Sequence, residues 1–295
     1  MKPPPFAYYD PTLLADALLL LANADHGTKI LAGGQSLVPL LNFRLMRPCA
    51  LVDINRIDEL HFTRHDEEGL KVGATIRQTE LEKQEGLAEI NPLLAEALPL
   101  IGHIKTRCRG TVCGSLVHAD PAAELPAVAI TQGAKFTIQS RRAQRVVSVR
   151  DFFKKPHTTI MEPDEMLTHV TFPPWNYGAG WAIEEVGRRP GDLALAGVAV
   201  LLIPANGICA RARITVFGTA DIPRPSDGAE TLLAGNSLSA AVLDEVVARV
   251  QAETSTWSDI QATAEYRRHV IGTLARRAVL RAAKRAGLLK DGFNG

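Results

Sequence analysis

Apolar and polar positions fall into two stretches of different rhythm along the chain. Residues 13–23 repeat apolar side chains at helical spacing behind Pro11 and Thr12, and Gly27 closes that helix. Residues 29–32 read as a short buried strand running into Gly33-Gly34-Gln35-Ser36. A helical or turn-like pattern resumes over 37–43, and 50–54 predicts a second strand, completing a small α/β unit near residue 55. Residues 70–74 alternate like a strand, and 78–83 and 93–100 carry helical spacing. The stretch 107–126 is rich in Gly, Ala and Asp and reads as loop at both ends. Strands are predicted over 135–139, 145–149 and 166–172, the last stopped by Pro173-Pro174.

Pro173-Pro174-Trp175-Asn176-Tyr177-Gly178 is the best linker in the sequence. Beyond it, 181–187, 194–203 and 212–217 predict three strands, with turn signals at Pro190-Gly191-Asp192 and Ala205-Asn206-Gly207. Helical patterns over 239–254 and 262–289 finish the chain. The expected fold class is α+β in two domains, 1–176 (parts 1–55 and 56–176) and 177–295.

Composition narrows the function classes. With 33 Lys and Arg against 32 Asp and Glu, there is no positive excess of the kind nucleic acid demands. No apolar stretch follows Lys2 as in a signal peptide, and the run 17–22 falls far short of the ~20 residues that span a bilayer. A cytoplasmic protein is expected. Cys49, Cys108, Cys113 and Cys209 lack the spacings of a cluster-binding set, and the eight histidines form no zinc pattern, so no metal ligands are assigned.

Two loops carry the candidate chemistry. At Ala32-Gly33-Gly34-Gln35-Ser36 a strand ends in residues that free backbone N–H groups and leave room for a phosphate; Ser36 adds a hydroxyl. By itself this is an ordinary strand-to-helix turn, and it lacks the Rossmann Gly-x-Gly-x-x-Gly. The second loop, Gly110-Thr111-Val112-Cys113-Gly114-Ser115-Leu116, shifts the balance, because two such loops in successive units can grip one diphosphate from both sides. Glu124, which follows in Ala119-Asp120-Pro121-Ala122-Ala123-Glu124, reads either as a first-turn charge complementing a helix dipole or as an acceptor for ribityl or ribose hydroxyls.

Ala32 to Pro39 and Arg109 to Pro121, in this order and with the later Arg188-Arg189-Pro190-Gly191-Asp192, resemble the paired FAD loops of the carbon monoxide dehydrogenase medium-subunit family. That family is the flavoprotein part of the xanthine dehydrogenase superfamily. The resemblance spans almost the whole chain. It implies a two-part FAD-binding domain of the vanillyl-alcohol-oxidase type and a smaller α+β C-terminal domain with a three-stranded antiparallel sheet plus helices. It implies that Lys29, Ala32, Gly33, Gly34, Gln35 and Ser36 serve the FAD diphosphate from one side and Thr111, Gly114 and Ser115 from the other. Glu124 stands for the family's acidic FAD contact, and Ile160 and Met161 pack against the adenine or flavin end. It further implies non-covalent FAD, no catalytic acid or base in this chain, and two partners: a small [2Fe–2S] subunit and a large molybdenum-cofactor subunit. The implied assembly is a dimer of heterotrimers with an external electron acceptor.

The chain departs from the family pattern at Gln35, often His; at Cys113, commonly the first of two glycines; and at Leu193, often aromatic. Cys113 reads as a small buried thiol rather than a flavin attachment point. His118 reads as a loop histidine with a backbone hydrogen bond. The basic run Arg276, Arg277, Arg281, Lys284, Arg285 reads as a solvated helix face, or else as a contact for an acidic partner subunit. Trp257 and Tyr266 read as core or interface. Two rival functions share the fold: a free-standing FAD-dependent oxidase, which needs an acid/base pair near the ring, and a cofactor-free assembly module built on the basic helix.

Overall fold

Parallel pairing organises the N-terminal stretch. The strands Thr28–Leu31 and Ala50–Asp53 are joined by a third, Ala7–Tyr9, which was not legible because all three of its residues are exposed. The sheet order is Ala7–Tyr9, Ala50–Asp53, Thr28–Leu31, parallel throughout. The helix Leu14–Ala22 buries Ala17, Leu18 and Leu21. Parallel strands end at the same edge, so the Gly33 loop and Asp53-Ile54-Asn55 leave the sheet side by side. The structure is a computed structural model and describes residues 2–23, 27–219 and 221–289.

A second sheet follows, antiparallel, in the order Thr63–Asp66, Gly69–Gly73, Met166–Phe172, Lys135–Gln139, Gln144–Ser148. Leu70, Val72, Phe136, Ile138, Val170 and Phe172 are fully enclosed, and Phe136 stacks on Phe152 at 4.1 Å. The stretch that read as loop contains two short helices, Ile104–Arg107 and Val112–His118. Barely one and two turns long, they bury too few positions for a period to show.

These elements form one unit, built from residues 1–84, 103–119 and 134–173. The second unit comprises 85–102, 120–133 and 174–295. Its antiparallel sheet runs Gly180–Val186, Ala196–Ala205, Ile208–Phe217, Arg224–Pro225: the three expected strands, extended by a two-residue fourth. Asn206 and Gly207 both take positive φ (51° and 76°), the tight hairpin turn that the Ala205-Asn206-Gly207 signal predicts. The helices Ala264–Arg285 and Ala240–Glu253 pack together; Ile271, Leu274, Ala278 and Val279 of the former are buried with Leu243, Val246 and Val250 of the latter. Arg267, itself buried, donates to the carbonyls of Leu195 (2.5 Å) and Gly218 (2.9 Å) and pairs with Asp259 (2.7 Å).

The basic run on the last helix is only in part a solvated face: Arg277, Lys284 and Arg285 are exposed, but the four arginines are also ion-paired within the chain. Arg276 pairs with Asp244, Arg277 with Glu184 (3.2 Å), Arg281 with Glu184 and Glu96 (2.7 Å to the latter), and Arg285 with Glu96 (2.6 Å). These guanidiniums answer acids of their own unit, because the strand Gly180–Val186 and the helix Pro92–Ala97 present carboxylates to them. Nor do Trp257 and Tyr266 enter the core: both are exposed, and Arg267 lies over the Trp257 ring at 5.7 Å. Among the described residues no helix is long and apolar enough to cross a membrane.

Candidate functional site

The two glycine loops meet within the first unit. A Cβ built on Gly33 would fall 2.8 Å from Gly110 Cα and 3.0 Å from Thr111 N, with the Arg109 carbonyl oxygen closer still. Only glycine lets the backbone of one loop lie this near the backbone of the other. Gly34 takes φ +74°, which turns the chain into the helix Leu37–Asn42. Along this turn the N–H groups of Gly33, Gly34, Gln35, Ser36 and Leu37 donate no hydrogen bond to the described residues. Consecutive free amides are the concave anion cradle expected of a phosphate loop.

The second loop supplies fewer free donors. Thr111 caps the helix Val112–His118, its Oγ1 accepting from Gly114 N at 3.0 Å, so that amide is already engaged. The Thr111 and Cys113 N–H groups donate to nothing among the described residues. The loop is held from behind by the helix Gln78–Glu82. Gln78 N donates to Gly110 O (2.9 Å), Val112 N to Ile76 O (3.2 Å), and Arg107 forks onto Glu82 (2.9 and 3.2 Å).

A line of polar side chains runs behind both loops, and sequence reasoning did not find it. Asn55 Nδ2 donates to Ala32 O (2.9 Å) and to Asp53 Oδ1 (2.5 Å), while Asn55 Oδ1 accepts from Arg77 Nη2 (2.5 Å). Arg77 Nη1 donates to Arg109 O (2.6 Å). Tyr8 closes the other end on Asp53 (2.7 Å), and that hydrogen bond holds its phenol up at about 12. Burial, then the charge of Arg109, presses the Arg77 guanidinium below its ordinary value. Apart from the neighbours Asp53 and Asn55, the bonded partners are 22 to 45 positions apart, so only the end of the strand Ala50–Asp53 offered a hint, and nothing in the sequence linked it to Arg77.

The other expected site residues are distributed as follows. Lys29 is exposed on its strand and makes no ion pair among the described residues. Gln35 folds back, Nε2 donating to Gly33 O at 3.4 Å, and the Ser36 hydroxyl makes no cap bond. Ser115 is half-buried in the first two turns of Val112–His118. Ile160 and Met161 follow the hairpin Phe153–Lys155 and Thr158–Thr159, which lies against the helix Val112–His118; Ile160 N donates to Phe152 O (2.9 Å) and His157 N to Ala119 O (3.0 Å). His118 ends that helix instead of standing in a loop, and its carbonyl accepts from His157 Nδ1 at 3.2 Å. Cys113 is buried, and burial pushes its thiol up to about 12. Leu193 is exposed.

Glu124 belongs to the second unit, buried in the first turn of the helix Glu124–Gln132. In the same unit Glu185 keeps Oε2 buried with no hydrogen-bond partner. Burial, and then the charge of Glu124, pushes Glu185 up to about 8.

The residues present fit FAD on structural grounds. Five consecutive unengaged amides, an approach that a Cβ would fill and the free Ser36 hydroxyl suit a diphosphate. Residues 4–175 match the FAD binding domain in molybdopterin dehydrogenase, and residues 181–282 match the CO dehydrogenase flavoprotein C-terminal domain. The chain is 36% identical over 295 residues to the 6-hydroxypseudooxynicotine dehydrogenase complex subunit alpha of Paenarthrobacter nicotinovorans, covering 100% of each. It is 35% identical to the carbon monoxide dehydrogenase medium chain of Afipia carboxidovorans, covering 97% of this chain and 99% of that one. Among solved structures it resembles carbon monoxide dehydrogenase from Hydrogenophaga pseudoflava (TM-score 0.94, 32% identity, 97% and 99% coverage). It also resembles quinoline 2-oxidoreductase from Pseudomonas putida 86 (TM-score 0.92, 33% identity, 97% and 99% coverage).

Proposed function

The chain belongs to the family of FAD-binding medium subunits of molybdenum hydroxylases, of which the carbon monoxide dehydrogenase medium chains are members, and on that premise we propose that it is the flavin relay of a heterotrimeric dehydrogenase. The observation that carries this reading is the meeting of the two glycine loops around unengaged amides. Bound there, FAD would supply one- and two-electron chemistry between the [2Fe–2S] clusters of a small partner subunit and an external acceptor, while a large molybdenum-cofactor subunit hydroxylates the substrate.

What this chain's own residues do is bind, orient and insulate. The amides of Gly33 to Leu37, with Lys29 and Ser36, receive the diphosphate from one side; Thr111, Gly114 and Ser115 line the other. Glu124 accepts from ribityl or ribose hydroxyls, and Ile160 and Met161 give apolar cover. No side chain here acts as an acid or base on the organic substrate. The flavin is held without a covalent bond, because Cys113 is enclosed and its thiol stays protonated at neutral pH. Residues 1–176 form the flavin domain and 177–295 the C-terminal domain. The assembly is a cytoplasmic dimer of heterotrimers.

Copurification with the partner subunits, followed by assay of FAD, iron and molybdenum, tests this directly. The expected result is stoichiometric FAD with absorbance near ~450 nm, and loss of acceptor reduction on flavin removal, restored by added FAD. A flavin-free complex that still reduces its acceptor at full rate overturns the proposal.

A further inference from the structure

The polar line behind the loops ends on two particular atoms: the carbonyl of Ala32, just before Gly33, and the carbonyl of Arg109, the atom nearest the missing Gly33 Cβ. We propose that Asn55 and Arg77 are positioning residues of the cofactor site, a clasp that sets the separation of the two glycine loops and so governs affinity for the diphosphate. This rests on the FAD reading above and adds residues to it that touch no cofactor.

The geometry specifies what each residue must be. Asn55 donates through Nδ2 to Ala32 O and accepts through Oδ1 from Arg77 Nη2, so it needs a donor and an acceptor on one planar group. Asp offers two acceptors and would set a carboxylate against the Ala32 carbonyl; Leu has the shape and neither function. Arg77 sends two parallel donors, Nη1 and Nη2, to acceptors on different segments, which the rigid guanidinium fork permits and a lysine ammonium does not. Asp53, ordered by Tyr8, fixes the Asn55 amide by accepting from both its backbone N (2.9 Å) and its Nδ2 (2.5 Å).

Pinning these carbonyls has a consequence at the front of the site. In a trans peptide the C=O and the N–H point in opposite directions. Drawing the Ala32 oxygen towards Asn55 therefore aims the Gly33 N–H away from Asn55, as the first of the five free amides. Holding the Arg109 oxygen on Arg77 keeps it against Gly33, where it fixes how far the loops stand apart.

The test is made on the whole 295-residue chain freed of flavin, with Asn55→Leu, Asn55→Asp, Arg77→Met and Arg77→Lys. FAD affinity is read by flavin fluorescence and ADP affinity by competition, since ADP carries the diphosphate and lacks the isoalloxazine. The flavin-free Tm serves as the fold control, and Arg77→Lys, which keeps charge and stem, stands in should Arg77→Met fail to fold. Each variant is expected to weaken FAD by about 10- to 100-fold, as loss of one charge-assisted contact implies. ADP should weaken by the same factor, and the flavin-free Tm should stay within about 3 °C of wild type. The Asn55→Leu/Arg77→Met pair should bind no more weakly than the worse single variant, because each already opens the same clasp. A wild-type chain that binds no FAD overturns the flavin reading, and this inference with it. Normal wild-type binding with variants within twofold of it overturns the clasp alone. So does a loss for FAD that ADP does not share.

Discussion

Replacing Gly33 by Ala inserts one methyl group where the two loops touch. Ordinary contact begins at 3.4 Å, so a methyl 2.8 Å from Gly110 Cα is about 0.6 Å too close, and the Arg109 oxygen is nearer still. The obstacle is backbone, anchored by Gln78 and Arg77, and cannot swing aside as a side chain would. Overpacking of this kind costs about 1–3 kcal/mol. In the flavin-free protein part of that strain relaxes as the loops part; in the complex the diphosphate needs them together, so the cost falls mainly on binding. The expected outcome is FAD binding weakened by about 10- to 100-fold, at roughly 1.4 kcal/mol per tenfold, with a smaller fall in the flavin-free Tm. Gly34→Ala is the internal control. Its φ of +74° makes alanine strained by ~1 kcal/mol, but its Cβ would meet only the Val38 and Leu31 side-chain ends, at 3.1 and 3.3 Å. Fluorescence titration and the FAD-to-protein ratio of purified samples measure both. If Gly33→Ala binds FAD within threefold of wild type, or Gly34→Ala loses more than Gly33→Ala, close loop contact is not what makes the site.

Three further outcomes follow from burial and pairing. Glu185, pushed up to about 8 from 4.5, keeps a proton in the folded chain that the unfolded chain releases, so stability falls as pH rises from about 4.5 to 8. Glu185→Gln should flatten that slope in urea midpoints taken at intervals across the range, and an unchanged slope refutes the assignment. Exposed Cys49 and Cys108 should react with a thiol reagent in the native protein, whereas buried Cys113 and Cys209, raised to about 12 and 11, wait for unfolding. Yellow colour in the pellet after acid denaturation would contradict the non-covalent reading. Arg267→Met strands the carbonyls of Leu195 and Gly218 and should cost about 2–4 kcal/mol in chemical denaturation; a loss under about 1 kcal/mol would show that water replaces the guanidinium.

What was legible in the sequence was whatever repeats. The strands Lys135–Gln139 and Met166–Phe172, the helix Ala240–Glu253 and the Asn206-Gly207 turn all announce themselves by period or turn chemistry. The strand Ala7–Tyr9 does not, because it is exposed and takes its place from the neighbour Ala50–Asp53. The basic helix misled in part, for a related reason: a charge run looks solvated until Glu96, 185 positions from Arg281, is seen to meet it. At the candidate site, the glycines were readable as chemistry and the clasp behind them was not. Asn55 and Arg77 are ordinary polar residues whose meaning lies in which carbonyls they reach.

The interleaving of the two units bears on how the chain is made. The helices Pro92–Ala97 and Glu124–Gln132 belong to the second unit and lie against its strands, burying Leu93, Leu94, Leu125 and Val128. On the ribosome those helices emerge long before the strands Gly180–Val186, Ala196–Ala205 and Ile208–Phe217 exist to receive them. At ~5–20 residues per second, residues 134–217 take roughly 4 to 17 s to appear. For that interval the nascent flavin-binding half carries two apolar helices that have each other but lack the strands they pack against. A gene cut near residue 175, where one matched family segment ends, would make that transient condition permanent.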